Sequence, residues 1–191
     1  MEKRKNEDLR VIKTREAIHN AFKQMICDMD YDEITIKELT QRAQINRKTF
    51  YLHYGSLDDL LEELQQEIAE NFISRKVSYA SMKDIRGLIR LFFEHAANMP
   101  LLHERLMCSG SYRPIWEKIN KRIMDYRRET NRGAFGLNQY EENLVFAYYG
   151  ANSTILYRQW VEDGKKLSLE ELIDIAEKLI CGGMSSVVKG Q

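Results

Sequence analysis

Apolar residues recur at helical spacing along most of the 191-residue chain, and strand-like alternation with hairpin turns is not found. Only two prolines, Pro100 and Pro114, interrupt this pattern. The sequence therefore predicts an all-α fold. The spacing predicts helices over residues 9–29, 35–43, 47–54, 57–75, 84–98, 101–107, 114–130, 139–162 and 169–187.

Several helix starts are marked by capping residues. A hydroxyl residue followed three positions later by a carboxylate can satisfy two free backbone N–H groups reciprocally. The pairs with this spacing are Thr35 with Glu38, Ser56 with Asp59, and Ser168 with Glu171. Asn46 supplies a further start, because its short amide can accept from the N–H groups of a turn that begins at Arg47.

The second and third predicted helices are short and are joined by residues 44–46. A corner of three or four residues between two short helices is typical of the helix-turn-helix, whose second helix enters the major groove of DNA. Phe50 and Tyr54 lie four residues apart and share the face that we expect to be buried. The opposite face, called the reading face below, carries Arg47, Lys48, Tyr51 and Leu52.

The reading face has the chemistry of a DNA contact. Arginine can bind a guanine edge with two hydrogen bonds, and a tyrosine ring or a leucine can lie against a thymine methyl. Thr49 and His53 flank this face and can reach phosphate oxygens. The alternative is that Arg47 and Lys48 form a solvated first turn and Tyr51 packs internally. Two cations at a helix N-terminus oppose the helix dipole, which favours the DNA interpretation.

Residues 14–72, about a third of the chain, resemble the DNA-binding domain of the TetR family of bacterial transcriptional regulators. The resemblance rests on residues 14–18 (Thr-Arg-Glu-Ala-Ile), residues 35–39 (Thr-Ile-Lys-Glu-Leu), Ala43, and residues 45–54 (Ile-Asn-Arg-Lys-Thr-Phe-Tyr-Leu-His-Tyr). It implies that the reading face contacts bases. It also implies phosphate contacts from Thr35, Thr49, Tyr51 and His53.

Two residues depart from the family pattern. Gln44 stands where the family usually has glycine, and a positive φ there would cost a non-glycine residue about 1–2 kcal/mol. Leu57 stands where the family usually has a lysine that reaches the DNA backbone. The resemblance therefore implies one phosphate contact fewer, and we expect basic residues near the N-terminus to contribute to affinity.

The resemblance implies a DNA-binding domain over residues 9–75 and a helical ligand-binding and dimerisation domain over residues 81–191, with the boundary at residues 77–81. The last two helices carry apolar stripes that predict a homodimer interface; the alternative is packing inside one subunit. A dimer is favoured because two reading helices must reach major grooves about 34 Å apart. The interface residues are Leu144, Ala147, Tyr148, Ala151, Ile155, Leu172, Ile175, Ala176, Leu179 and Gly183.

Aromatic residues are dense in the second domain and are candidates to line a pocket for a small-molecule effector, although single aromatic residues are more often part of a core. The pocket candidates are Phe92, Phe93, Trp116, Phe146 and Tyr149. The sequence does not identify the effector, and no cofactor is expected. Catalytic motifs are not found, so we do not expect an enzyme.

Charge and cysteine content narrow the class of protein. Acidic and basic residues balance at 29 each, but residues 58–70 hold six acids and no base, whereas the first 27 residues are net basic. The three cysteines, Cys27, Cys108 and Cys181, lack the spacing of metal ligands, so we expect them to be reduced thiols.

The sequence contains neither a membrane span nor the apolar core of a signal peptide, so we expect a cytoplasmic protein.

Two functions remain open at this stage. The first is a dimeric transcriptional regulator, acting as a ligand-responsive repressor that binds a palindromic operator in double-stranded DNA. The second is an all-helical protein-interaction scaffold of the same fold with weak or no DNA binding.

Overall fold

The structure, a computed structural model, describes residues 2–74, 82–133 and 135–184, and the side chains of residues 9–74, 85–133 and 135–183. Its described part contains nine α-helices, a 3₁₀ turn at Tyr31–Glu33 and no strand, which confirms the all-α prediction. The helices are α1 Glu2–Asp28, α2 Ile36–Arg42, α3 Arg47–Tyr51, α4 Leu57–Ile73, α5 Met82–Ala97, α6 Leu101–Cys108, α7 Arg113–Thr130, α8 Gln139–Glu162 and α9 Leu169–Met184.

Two helix bounds differ clearly from the sequence prediction. Helix α1 begins at Glu2 rather than at residue 9. Helix α3 ends at Tyr51 rather than at residue 54, because Leu52 caps it and its N–H donates to the carbonyls of both Lys48 and Thr49 at 3.2 Å. Such short-range bonds tighten the last turn of a helix. The predicted domain boundary at residues 77–81 lies outside the described residues.

All four predicted N-caps form, since the capping oxygens of Thr35, Asn46, Ser56 and Ser168 each accept a backbone N–H from three residues ahead. Of the three predicted reciprocal pairs, Ser168 with Glu171 is complete, with the carboxylate 2.8 Å from the Ser168 nitrogen. Glu38 accepts from Arg42 instead, and Asp59 accepts from the N–H of Gly55. The caps therefore fix where α2, α3, α4 and α9 begin.

The N-terminal helices surround an apolar core. Helix α1 buries the side that carries Ile18 and Phe22, and Phe50 of α3 and Leu39 of α2 are completely buried in the same apolar cluster. Tyr54, just after α3, lies beside Phe50 with ring centroids 5.8 Å apart. Burying a ring of this size stabilises the fold by roughly 1.5–3 kcal/mol relative to leaving it exposed. The aromatic pair thereby fixes α3 on the domain surface.

The N-terminal part is attached to the second part on two sides. Helix α4 packs along α7, and the end of α1 packs against α6. At the second attachment, the buried Tyr112 hydroxyl donates to the carbonyl of Met29 at 2.8 Å. Asp30 accepts from Arg105 at 3.1 Å and from Ser111 at 2.9 Å. Buried side chains of both parts form one continuous core.

Helices α5, α8 and α9 pack against one another beyond this junction. Tyr157 of α8 is buried there, and its hydroxyl donates to the carbonyl of Ala96 at 2.8 Å. Among the described residues, the helices fall short of the length and apolar content that a bilayer span requires.

Candidate nucleic-acid interface

Helix α3 presents the reading face to solvent while Phe50 holds its other side in the core. Arg47 and Lys48 are exposed, and so are 45% of Tyr51 and 76% of Leu52. A leucine exposed to this extent contributes nothing to the core. Its position next to two cations suits a surface that is covered by an external partner.

Arg47 and Tyr51 are arranged together on the reading face. The Nη2 atom of Arg47 donates to the Tyr51 hydroxyl at 3.2 Å, and its guanidinium carbon lies 5.6 Å from the centre of the Tyr51 ring. The contact is exposed, so it is weak enough to be exchanged for a stronger partner. It keeps the guanidinium on the outer side of α3, where its remaining N–H groups are available.

The three predicted phosphate contacts outside the reading face differ in their local bonds. Thr35 is exposed and its hydroxyl accepts the Glu38 N–H, which leaves the hydroxyl proton available. Thr49 is half-buried and its hydroxyl lies 3.0 Å from Asn46 Oδ1, which it donates to. Thr49 must therefore give up this bond to donate to a phosphate. His53 is half-buried at the end of α3.

The corner before α3 has a left-handed residue at the position where the family pattern has glycine. Gln44 has φ of 54°, and the N–H of the next residue, Ile45, donates to the carbonyl of Thr40 at 3.0 Å. This bond satisfies a carbonyl at the end of α2. Glycine would adopt this φ without a steric penalty, whereas Gln44 does so at a cost.

Leu57, the other departure, opens α4 as a half-buried residue that packs on the core. It has no polar atom beyond its backbone. The side chain at this position therefore serves packing.

Cations of the N-terminal part divide into two groups. Arg15, Lys23 and Arg42 form ion pairs with carboxylates of Glu63, Glu67 and Asp28, respectively. The second group has no carboxylate partner among the described side chains; it consists of Arg10, Lys13, Lys37, Arg47 and Lys48. Positive charge is neutralised between α1 and α4 and at Arg42 of α2, whereas the second group carries positive charge without such a pair. An uncompensated positive surface attracts polyanions.

A polar cluster behind α3 links it to α1 and α4. His19 Nε2 lies 2.9 Å from the Tyr54 hydroxyl and 3.2 Å from Glu63, and Arg15 binds both oxygens of Glu63 at 2.6 and 2.7 Å. Burial opposes ionisation of Glu63, but the bonds from Arg15 outweigh it and lower the Glu63 pKa. Burial, aided by the charge of Glu63, raises the pKa of Tyr54 to about 12.

Sequence reasoning missed this cluster, although its pattern is readable. Arg15, His19 and Lys23 recur every four residues on α1, as Glu63 and Glu67 do on α4. Residues four apart share a helix face, so complementary rows predict facing helices. The cluster fixes α3 against both neighbours.

The predicted dimer residues separate into two sets. Exposed ones form one stripe, called the exposed stripe below: Leu144, Ala147, Tyr148, Ala151, Ile155, Ile175, Leu179 and Gly183. Leu172 and Ala176 are 5% and 0% exposed and lie inside the subunit, because their side of α9 packs against α5 and α8. A Cβ at Gly183 would lie 2.6 Å from the Tyr148 hydroxyl, so glycine permits that close contact of α8 with α9.

The predicted pocket residues also separate. Phe92 and Tyr149 line a cleft of about 30 Å³, together with Phe72, Leu88, Leu91, His95 and Arg127. Phe93, Trp116 and Phe146 do not line this cleft; they are core residues, at most 2% exposed. Such a cleft admits about one or two waters. Binding pockets for small molecules are usually above about 300 Å³.

The three cysteines are free thiols, and burial raises the pKa of each one, that of Cys108 to about 11. They are poor nucleophiles for that reason. Among the described residues, His, Cys, Asp and Glu side chains do not gather in groups of three that could hold a metal ion.

Comparison with known proteins finds sequence matches to the N-terminal part of the chain. Residues 20–64 match the family described as bacterial regulatory proteins, tetR family. A curated relative from Bacillus subtilis strain 168, the uncharacterized HTH-type transcriptional regulator YxbF, is 34% identical over 108 residues. That match covers 53% of this chain and 28% of the relative, so the chain spans less than a third of the relative's length.

Solved structures with similar folds cover nearly the whole chain. A TetR transcriptional regulator from Streptococcus agalactiae has a TM-score of 0.66 at 18% identity, over 91% of this chain and 97% of its own. NalD, the secondary repressor of the MexAB-OprM multidrug efflux pump in Pseudomonas aeruginosa, has a TM-score of 0.65 at 14% identity, over 90% of this chain and 96% of its own. Bacillus subtilis FadR in complex with stearoyl-CoA has a TM-score of 0.59 at 17% identity, over 88% of this chain and 98% of its own. At these identities the likeness shows the fold.

Proposed function

We propose that this chain, in which residues 20–64 match the TetR family of bacterial regulatory proteins, is a homodimeric transcriptional regulator that binds a palindromic DNA operator. The observation that carries the proposal is the reading face. Phe50 anchors α3 in the core, while two cations, a tyrosine and a leucine point away from it. Because bacterial DNA lies in the cytoplasm, the proposed function places the protein there.

Within this proposal the side chains have separate tasks. Arg47, Lys48, Tyr51 and Leu52 contact base edges, while Thr35, Thr49, Tyr51 and His53 contact phosphates. The existing Arg47–Tyr51 contact supports joint action, since the guanidinium is already held on the outer side of the helix. Phosphate contacts fix the register of α3, and base contacts select the sequence.

The test begins with footprinting of the purified protein on the DNA upstream of its own gene. Arg47→Ala should weaken operator binding by about 1–3 kcal/mol and relax the preference at one position of each half-site. His53→Ala should weaken binding to operator and random DNA about equally. Equal losses on both DNAs for Arg47→Ala would refute the base-reading role of Arg47.

The exposed stripe supports assembly through α8 and α9. Leu144 is 73% exposed and Ile155 57%, and the positions from 144 to 155 span about 16 Å of one helix face. In a dimer with a twofold axis, the same face of the partner subunit can pack against this one and bury both. An unassembled chain would leave these apolar side chains in water.

A charge in the exposed stripe tests the homodimer. Ala151→Glu should give a folded monomer, because Ala151 is exposed in the subunit and an unpaired carboxylate is costly to bury in an interface. Asn20→Glu, an equivalent charge on the exposed side of α1, serves as the control. Light scattering that finds Ala151→Glu still dimeric would place the interface elsewhere.

Release of the operator by a small apolar effector is the second part of the proposal. Phe72, near the end of α4, lines the small cleft and lies 5.1 Å from His95, 6.3 Å from His103 and 6.2 Å from Trp116 between ring centroids. An effector larger than about two waters must displace side chains that line the cleft, and displacement of Phe72 would act on α4. A shift of α4 is how ligand binding would reach the reading face.

Thermal shift with small apolar and cationic compounds would find such an effector. Linkage requires that operator DNA weaken the binding of a true effector by the same factor by which the effector weakens operator binding. A compound whose affinity is unaffected by operator is not the effector. The alternative function, an interaction scaffold, would be supported if the purified chain bound no DNA at low salt.

A further inference from the structure

A second cleft lies beside the helix-turn-helix, between α1 and the corner that precedes α3. Its volume is about 370 Å³, and it is lined by Leu9, Arg10, Lys13, Thr14, Ala17 and Ile45. This cleft is called the corner cleft below. Its lining residues include two cations and no carboxylate. The cleft therefore has the charge of an anion site next to the proposed DNA-binding surface.

The two cations belong to a separate face of α1. Arg10, Lys13 and Ala17 are spaced by three and four residues, so they lie along one side of the helix. Arg15 and Lys23, by contrast, are ion-paired to α4. Helix α1 thus uses some of its cations for internal pairing and leaves Arg10 and Lys13 exposed, with no carboxylate partner among the described side chains.

The cleft is close to the reading face along the chain and in space. Ile45, on its wall, directly precedes Asn46, the N-cap of α3. The adjoining part of α1 is not covered by the rest of the subunit, since Leu9, Val11 and Ile12 are between 44% and 50% exposed. The exposed Arg10 and Lys13 therefore line a cleft whose wall adjoins the N-cap of α3.

We propose that the corner cleft is a second contact site for the DNA backbone, in which Arg10 and Lys13 bind phosphates next to those bound around α3. This inference rests on the proposed function and extends its footprint. Arginine and lysine have donors and no acceptors, so an anion is their fitting partner. The site supplies positive charge that Leu57, packed on the core, does not.

Phosphate contacts have a measurable property that base contacts and structural cations lack. Each phosphate neutralised releases counterions, so the logarithm of the binding constant falls with the logarithm of salt concentration by about 0.9 per contact. The loss of two contacts in each subunit of a dimer should reduce this slope by about 3.6. Between about 50 and 200 mM salt, that difference lowers the ratio of the wild-type binding constant to that of the variant by about 150-fold.

The experiment compares wild type with the double variant Arg10→Gln and Lys13→Gln, in the full chain, on operator and on random DNA. The double variant should bind both DNAs more weakly by similar factors and should show the shallower salt slope. The matched control is Lys118→Gln with Lys166→Gln, which removes the same charge from exposed positions of α7 and the α8–α9 turn. This control should keep the wild-type slope.

The outcomes separate the inference from the function on which it rests. Wild type that binds no DNA overturns the proposed function. Wild type that binds, with a double variant whose slope equals that of the control, overturns the corner cleft as a phosphate site. A loss confined to operator overturns it as well, because it would indicate base contacts. Thermal unfolding of both variants, at exposed positions, checks that each remains folded.

Discussion

The substitution Gln44→Gly tests whether the corner of the helix-turn-helix is strained. Gln44 has φ of 54° and is exposed, so its side chain contributes little packing. The left-handed conformation costs a residue with a Cβ about 1–2 kcal/mol, and glycine avoids this cost. Glycine also makes the unfolded chain more flexible, which opposes the gain by about 0.4–1 kcal/mol. We expect a net stabilisation of about 0.5–1 kcal/mol.

Thermal and urea unfolding would measure this gain. For a chain of this length, 1 kcal/mol corresponds to a rise of about 2–4 °C in Tm. Gln41→Gly is the matched control, because Gln41 is also an exposed glutamine but lies inside α2. Glycine in a helix interior should destabilise the protein by about 0.5–1 kcal/mol. The two substitutions are thus expected to change the free energy of unfolding in opposite directions.

A loss of stability in Gln44→Gly equal to that in Gln41→Gly would refute the strain argument. It would mean that the Gln44 side chain stabilises the corner by more than the backbone costs. The m-value should remain that of wild type, because neither change alters the surface exposed on unfolding.

Three further predictions follow from burial and charge. Ala176→Glu should unfold the subunit, whereas Ala151→Glu should leave it folded, as circular dichroism would show, because Ala176 alone of the two is buried. Because folding lowers the Glu63 pKa, its stabilisation is present above the ordinary carboxyl range and is lost as pH falls below that range; Glu63→Gln should make the melting temperature depend less on pH there. Tyr112→Phe should cost about 0.5–1.5 kcal/mol in urea unfolding, because the partly buried carbonyl of Met29 loses its donor.

Much of the N-terminal architecture could be predicted from local chemistry. Capping residues locate helix starts because the free N–H groups of a first turn must be satisfied, and Thr35, Asn46 and Ser56 do so. The positive φ of Gln44, by contrast, is indicated only by the resemblance, which has glycine at this position. The predicted end of α3 at residue 54 was wrong. Residues 52–54 continue the helical spacing of the sequence, but the backbone tightens into a turn at Leu52.

The second domain was harder to predict for a different physical reason. Helix α9 has apolar residues on more than one side, and periodicity cannot tell which side faces the core. Leu172 and Ala176 face inward, while Ile175 and Leu179 are exposed. Aromatic content has the same ambiguity, since a cavity wall and a packed core use the same side chains. Only the three-dimensional arrangement separates Phe92 from Phe93 in this respect.

The two attachments of the N-terminal part limit how an effector could act. A shift of α4 alone would carry the reading face with it, but the end of α1 is held by Tyr112 and by the bonds of Asp30 to α6 and the turn before α7. Packed interiors do not deform continuously, so these contacts must either move with α4 or break. A motion that turns the whole N-terminal part as one body about the Asp30 corner keeps the bonds of Tyr112 and Asp30 and changes the packing of α4 along α7. Such a rotation changes the spacing of two reading helices in a dimer without unfolding either one.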